Sequence, residues 1–199
     1  MEYLLIITGL LCIALSIFMM YFARNPKRTL YAEDKLILSP ANGRIASIQK
    51  IDKQTSVKKW NGIQSLFSGV SDKGILITII MTPLNIHYQR APHTGTVTDI
   101  SYTKGRFGYA LTTDSTFTNE RNEITIQGSY GVSKTVQVAG MAARRILCFV
   151  NKKQQLQAAE TIGYITYGSQ TLLFLPRNVE LFIKEGDQVL DAQVIGGWE

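Results

Sequence analysis

Tyr164-Ile165-Thr166-Tyr167-Gly168-Ser169-Gln170-Thr171-Leu172-Leu173-Phe174-Leu175-Pro176 alternates apolar and polar side chains up to Gly168, then runs apolar from Leu172 to Leu175 and stops at Pro176. Period-two alternation followed by a short apolar run predicts two extended segments joined or kinked at Gly168-Ser169. A glycine there admits backbone angles closed to other residues and leaves its carbonyl open to approach, with the Ser169 hydroxyl beside it. That geometry permits a serine to attack the peptide bond before it. Taken alone, a Gly-Ser pair between strands reads as a turn or bulge.

Working outward, the rest of the soluble chain reads as short strands and turns. Leu36-Ile37-Leu38 leads into the turn Ser39-Pro40-Ala41-Asn42-Gly43, and Arg44-Ile45-Ala46-Ser47-Ile48 alternates outward again. Gly74 to Met81 is the strongest strand and is expected to be buried on both faces. Strands follow at 96–102, 124–128 and 135–139, with 144–150 a further strand or short helix and 154–160 a helical turn or loop. Val179-Glu180-Leu181-Phe182-Ile183 and Gln188-Val189-Leu190 flank Lys184-Glu185-Gly186-Asp187, a hairpin or strand-turn signal. Between Lys58 and Val70, Trp60, Ile63, Leu66, Phe67 and Val70 recur at helical spacing, which predicts core packing, with an interfacial lid as the alternative. The expected fold is mainly β, a β-rich α+β sandwich or barrel, behind an N-terminal transmembrane helix.

That helix is read from residues 3–22, an uncharged apolar run of about 20 residues, the length that crosses a hydrocarbon core. The run starts after Glu2 rather than a basic segment and no small-residue cleavage site follows, so it reads as an uncleaved anchor. Residues 1–28 are then the anchor with its basic juxtamembrane segment, and 29–199 the folded domain. Arg24, Lys27 and Arg28 place that domain on the cytoplasmic side by the positive-inside bias and attract anionic headgroups. The net charge of +6 favours an anionic partner, but no aromatic and basic interleaving supports nucleic acid. Cys12 falls in the apolar run and Cys148 in an expected core strand, so neither a disulfide framework nor a thiolate metal site is expected. With two histidines and neither thiol near them, no cluster has metal-ligand spacing.

Pro40-Ala41-Asn42-Gly43, Thr82-Pro83-Leu84-Asn85-Ile86-His87, Asn119-Glu120-Arg121, Ala139-Gly140 with Arg144-Arg145, and Gly168-Ser169 occur in that order behind the anchor. In that order the chain resembles the phosphatidylserine decarboxylases, specifically their short archaeal-type members. The resemblance runs from about Phe22 to the end of the chain and turns the Gly168-Ser169 pair from a bulge into an expected cleavage point.

The resemblance implies that Ser169 attacks the Gly168 carbonyl and that the resulting ester eliminates. A large chain 1–168 and a small chain 169–199 would result, the latter carrying a pyruvoyl group made from Ser169. Side chains offer no good electron sink, so losing carbon dioxide beside an amine needs a ketone of this kind. Phosphatidylserine in the membrane would be the substrate and phosphatidylethanolamine the product. His87 matches the family's proton-transfer histidine, a role suited to a group titrating near neutrality. Arg121, Arg144 and Arg145 are candidates for holding substrate phosphate or carboxylate, with ion pairs to Glu120 or Glu123 the alternative. No metal is implied, and a homo-oligomer is left open.

Two positions depart from the family pattern. Asn42 stands where the family turn carries the aspartate of the relay, and Asn85 where aspartate is common. An amide cannot stabilise an imidazolium as a carboxylate does, and losing such a carboxylate costs about four orders of magnitude in a related relay. Glu120 is a substitute carboxylate to consider. A non-processing relative that binds lipid or a partner is therefore the second reading. A membrane-anchored lipoyl-like adaptor is the third, and it lacks the exposed hairpin-tip lysine such a module needs. His93 is expected on an exposed loop.

Overall fold

The structure, a computed structural model, describes residues 1–29, 35–54, 56, 63–105, 118–140, 145–166 and 169–199. Its elements in chain order begin with helix α1 (Glu2–Phe22), strands β1 (Leu36–Leu38) and β2 (Gly43–Asp52), and the one-turn helix α2 (Gln64–Phe67). There follow β3 (Lys73–Met81), β4 (Tyr88–Arg90), β5 (Gly95–Thr103), β6 (Arg121–Gln127), β7 (Val132–Val138), β8 (Ile146–Cys148) and β9 (Gln155–Leu156). The last are β10 (Thr161–Ile165), β11 (Ser169–Pro176), β12 (Val179–Leu181), β13 (Gln188–Val189) and β14 (Val194–Trp198). The mainly β expectation holds, with an apolar N-terminal helix long enough to cross a membrane.

One large sheet runs β13-β2-β3-β11-β7-β6-β5-β9, and two three-stranded sheets, β1-β14-β12 and β4-β10-β8, lie apart from it in pairing. Ile75, Ile77, Ile79, Leu173 and Leu175 of the large sheet pack with Ile37, Ile195 and Trp198 of the first small sheet and Ile165 of the second. The opposite face of β3 and β11, with Leu76, Leu172 and Phe174, packs on Ile63, Leu66 and Phe67 around α2. β3 and β11 are thus covered on both sides, which is why they read as nearly unbroken apolar runs. The described part of the 58–70 segment is core rather than lid, while Trp60 lies outside the described residues.

The two extended pieces around residue 168 are not partners. β10 belongs to a small sheet and β11 to the large one, so the chain changes layer between Ile165 and Ser169. The Lys184 to Asp187 segment is likewise a turn and not a hairpin. Asp187 Oδ2 accepts from Lys184 N at 3.0 Å, and Gly186 takes φ +94°. Its flanking strands part company, β12 to β14 and β13 to β2. The 144–150 segment contributes strand β8, an edge on which Cys148 is exposed rather than core.

α1 carries no charge between Glu2 and its end, and its two aliphatic hydroxyls are internally satisfied. Thr8 Oγ1 donates to Leu4 O and Ser16 Oγ to Cys12 O, each at 2.8 Å, as an apolar surround requires. Only Phe22 of the helix is buried. After it the chain is strapped down: Asp191 Oδ2 accepts from both Arg28 Nε and Arg90 Nε at 3.0 Å, and Arg90 also holds Asn25 Oδ1 and Pro26 O. Asp191 is fully buried, so removing either arginine would leave a charge short of its partners.

Candidate active site

Ser169 opens β11, and its main chain pairs with Met81 at the end of β3. Successive strand residues face opposite sides. Ser169 therefore shares a face with Thr171, Leu173 and Leu175, towards the core between the large sheet and the small ones. It is buried, and its Oγ has no hydrogen-bond partner among the described residues.

His87 is held at the same end of the sandwich. The loop 82–87 leaves β3 directly after Met81, and His87 O accepts from Ile165 N at 3.1 Å and from Gln89 Nε2 at 2.9 Å. The ring is fully buried, with the Phe22 ring tilted against it at 4.3 Å between centroids. Nδ1 lies 3.0 Å from Asn85 O. A carbonyl only accepts, so Nδ1 carries the hydrogen and Nε2 the lone pair. Nε2 has no partner among the described residues. Burial pushes the imidazole down to about 4, the Asn85 carbonyl opposing and the Arg24 charge adding to the fall. At neutral pH this is an uncharged base with its acceptor nitrogen unused.

Asn42, in the turn before β2, sits behind this arrangement. Its Oδ1 accepts from Asn85 Nδ2 at 2.6 Å, and Asn85 Oδ1 accepts in turn from Thr82 N at 2.7 Å and Thr82 Oγ1 at 2.8 Å. The tautomer-fixing acceptor that a carboxylate would supply is here the main-chain carbonyl of Asn85, and Asn42 clamps that residue. Gly43 completes the turn, because a Cβ there would lie 2.4 Å from Ile80 O. Among the described residues no carboxylate is hydrogen-bonded to His87. Glu120 instead accepts from Tyr102 OH at 3.0 Å.

The three arginines separate. Arg121 pairs across β7 with Val138, which pairs with Gln170, so it lies on the face of the large sheet opposite Ser169. There Glu123 accepts from Arg121 Nε at 3.0 Å and from Ser65 Oγ at 2.6 Å, with Lys134 Nζ 3.5 Å away, all buried or part-buried. Desolvation holds the Lys134 ammonium below its ordinary value, against the pull of Glu123. Arg145 is exposed, and its carbonyl accepts from Thr166 N at 3.2 Å, next to the layer change. Arg144 and Gly168 lie outside the described residues.

Sequence reading missed two features. Phe22, read only as the end of an anchor, stands against the His87 ring, and Arg24, read only as a juxtamembrane cation, donates from Nη2 to Leu84 O at 2.7 Å in the histidine loop. An amide chain also crosses from the large sheet to the histidine. Asn122 Nδ2 donates to Gln137 Oε1 (2.9 Å), Gln137 Nε2 to Gln89 Oε1 (2.8 Å), and Gln89 Nε2 to His87 O. Gly163 leaves room for it, since a Cβ there would stand 2.4 Å from Gln137 Nε2. His93 is buried instead of exposed, with Nε2 2.7 Å from Ser133 Oγ and its ring edge-on to Trp198.

A buried serine at the head of a central strand and a neutral histidine, its Nε2 without a partner among the described residues, are groups suited to acid–base chemistry inside a β sandwich. The family model described as phosphatidylserine decarboxylase matches residues 15–197. A phosphatidylserine decarboxylase proenzyme of Wolbachia pipientis wMel is 34% identical over 94% of this chain and 78% of its own length. A Methanothermobacter thermautotrophicus protein, provisionally named archaetidylserine decarboxylase proenzyme, is 36% identical over 94% of this chain and 83% of its own. A phosphatidylserine decarboxylase proenzyme of Azorhizobium caulinodans is 33% identical over 94% and 76%. The chain belongs to the phosphatidylserine decarboxylase family and is an enzyme of the lyase class.

Proposed function

We propose that the chain is a proenzyme that cleaves itself between Gly168 and Ser169, converts Ser169 into a pyruvoyl group, and decarboxylates phosphatidylserine at the membrane in which α1 is anchored. The observation that carries this is that, of the orphaned buried atoms, Ser169 Oγ and His87 Nε2 both lie at the Met81 end of β3. A buried hydroxyl and a buried imidazole nitrogen left unsatisfied each cost stability and are kept where they are used. The names of the relatives supply the proenzyme form and the serine headgroup.

In this reading His87 Nε2 accepts the Ser169 hydroxyl proton as Oγ adds to the Gly168 carbonyl, and the peptide bond gives way to an ester as the Ser169 nitrogen takes a proton. Loss of the Ser169 α-proton breaks the Cβ–Oγ bond and frees Gly168 as a carboxylate. Water then replaces the nitrogen, which leaves as ammonia, and residue 169 is left as the ketone. The site suits the group. Residues 169–176 pair with β3 and 170–174 with β7, so a new terminus at 169 stays fixed in the sheet after the cut. When present, a pyruvoyl group supplies the electron sink that decarboxylation beside an amine requires. His87 then holds the proton that replaces the lost carboxylate, Phe22 and the buried surroundings keep water from the ring, and Arg145 would hold headgroup phosphate. The basic segment Arg24, Lys27 and Arg28 puts the domain on the cytoplasmic side.

Asn42 favours one competing reading, a relative that no longer processes, since among the described residues no carboxylate is hydrogen-bonded to the imidazole. Conversion of phosphatidylserine to phosphatidylethanolamine by the full chain in vesicles tests the proposal, with lipid mass spectrometry as readout. Turnover that disappears in both Ser169→Ala and His87→Ala is expected. Turnover retained in Ser169→Ala rules out the pyruvoyl route, and none in the parent protein favours the non-processing relative.

A further inference from the structure

The small sheet β4-β10-β8 has one face in the core and one with no layer over it among the described residues. Tyr88, Tyr164 and Leu147 are directly opposed across its three strands and so point to one side. Ile165, on the other side, is in the core, so the row faces away from the large sheet. Phe149 extends the row, 6.3 Å from Tyr88 between ring centroids, and Tyr88 lies 4.7 Å from Tyr164. Leu147 is 41% exposed, Phe149 46% and Leu84, in the neighbouring histidine loop, 63%. Phe22 joins the same patch, 6.3 Å from Tyr164.

Phe22 is what identifies the occupant. It ends a 21-residue apolar helix, and a helix of that length spans about 30 Å, the thickness of a hydrocarbon core. Phe22 therefore stands at headgroup level, and so does any surface that touches it. Arg24 locks the two together by donating to Leu84 O while its guanidinium covers the Tyr21 ring at 3.7 Å. The charge agrees: residues 82–90 and 145–154 contain no carboxylate but include Arg145, Lys152 and Lys153, all exposed, with Lys152 near Asp99 at 3.2 Å. Tyrosines, apolar tips and flanking cations are the composition of a surface that rests in the bilayer interface.

We propose that this face is a second membrane contact: Leu84, Leu147 and Phe149 dip into the lipid, and the sheet lies on the bilayer beside α1. The inference rests on the anchoring of α1 proposed above and adds an orientation to it. The domain is not free to swing on its tether, and the Phe22–His87 contact is held at the lipid surface, where a phospholipid headgroup meets it without leaving the bilayer.

The test uses the full chain in vesicles of phosphatidylcholine and phosphatidylglycerol, with acyl chains brominated as quenchers of tryptophan. Reporters are Leu147→Trp and Phe149→Trp, and the control is Tyr130→Trp, in the turn joining β6 and β7 at the end of the large sheet remote from Ser169. After subtraction of the native tryptophan signal, quenching at 147 and 149 about threefold or more above that at 130 is expected. Equal quenching at all three, in a chain that resists alkaline carbonate extraction, overturns the contact while leaving the anchor intact. Extraction by carbonate overturns both. A third reporter, Leu84→Trp, guards against misfolding: in the Leu147→Glu/Phe149→Glu background its quenching should fall while the chain stays unextractable and keeps its circular dichroism. Loss of quenching combined with cross-linking of two copies through residue 147 would assign the face to self-association and reject the bilayer.

Discussion

The ring of Phe22, the last residue of the apolar helix, lies 4.3 Å from the ring of His87 and covers it. A residue that hydropathy assigns to a membrane anchor is therefore part of the environment that keeps the histidine neutral. Replacing it by alanine readmits water to the imidazole. Phe22→Ala should raise the His87 pKa from about 4 towards its ordinary 6.5, followed by NMR titration of labelled histidine. An unchanged titration would show that the shielding comes from elsewhere.

The same burial couples stability to pH. The folded-state value lies below the unfolded one, so between pH 6.5 and 4 the unfolded chain binds the extra proton. Stability from this group is complete above about pH 6.5 and is lost as pH falls through 4, amounting to about 3 kcal/mol. His87→Gln should remove that portion of the acid dependence when denaturant curves of the two proteins are compared across the range. Parallel pH profiles would contradict it.

Asn42 Oδ1 accepts from Asn85 Nδ2, and the Asn85 carbonyl positions His87. Asn42→Ala leaves a part-buried amide donor without its acceptor and should cost about 1 kcal/mol in urea unfolding. Asn42→Asp keeps the contact and adds a charge that favours the imidazolium. Chain cleavage in that variant, followed by gel over time, should be faster than in the parent. A slower rate would mean that the neutral pair is the working form.

Glu123 is shared by Arg121 and Lys134 on the face of the large sheet away from Ser169. Glu123→Ala takes the shared carboxylate away from two buried cations and should destabilise by about 3–5 kcal/mol. Arg121→Met made together with Glu123→Ala should recover part of that loss. Recovery would mark the cluster as structural, and its absence together with lost lipid turnover would return Arg121 to the substrate site.

The strands that pack on both faces were legible because burial on two sides demands unbroken apolar sequence, as in β3 and β11. The turn at Asn42 and Gly43 was legible because glycine alone tolerates the approach to Ile80 O. Partner choice was not. Lys184 to Asp187 has the composition of a hairpin turn, yet its strands join different sheets, and nothing local encodes that. His93 and Cys148 were misplaced for the same reason, since burial of a loop residue or exposure of an edge strand depends on what packs there from afar. Phe22 was hidden because a core position and a lipid-facing one ask for the same side chain. The amide chain from Asn122 to Gln89 leaves no period at all, its members being brought together from three strands.

Intact mass spectrometry of the purified full chain tests the central claim most directly. The account predicts two fragments, one ending at Gly168 and one beginning at residue 169. The second should be lighter than a serine-initiated peptide by the mass of ammonia and resistant to N-terminal sequencing, and Ser169→Ala should stay a single chain. A parent protein that remains one chain of unmodified mass while folded would contradict it.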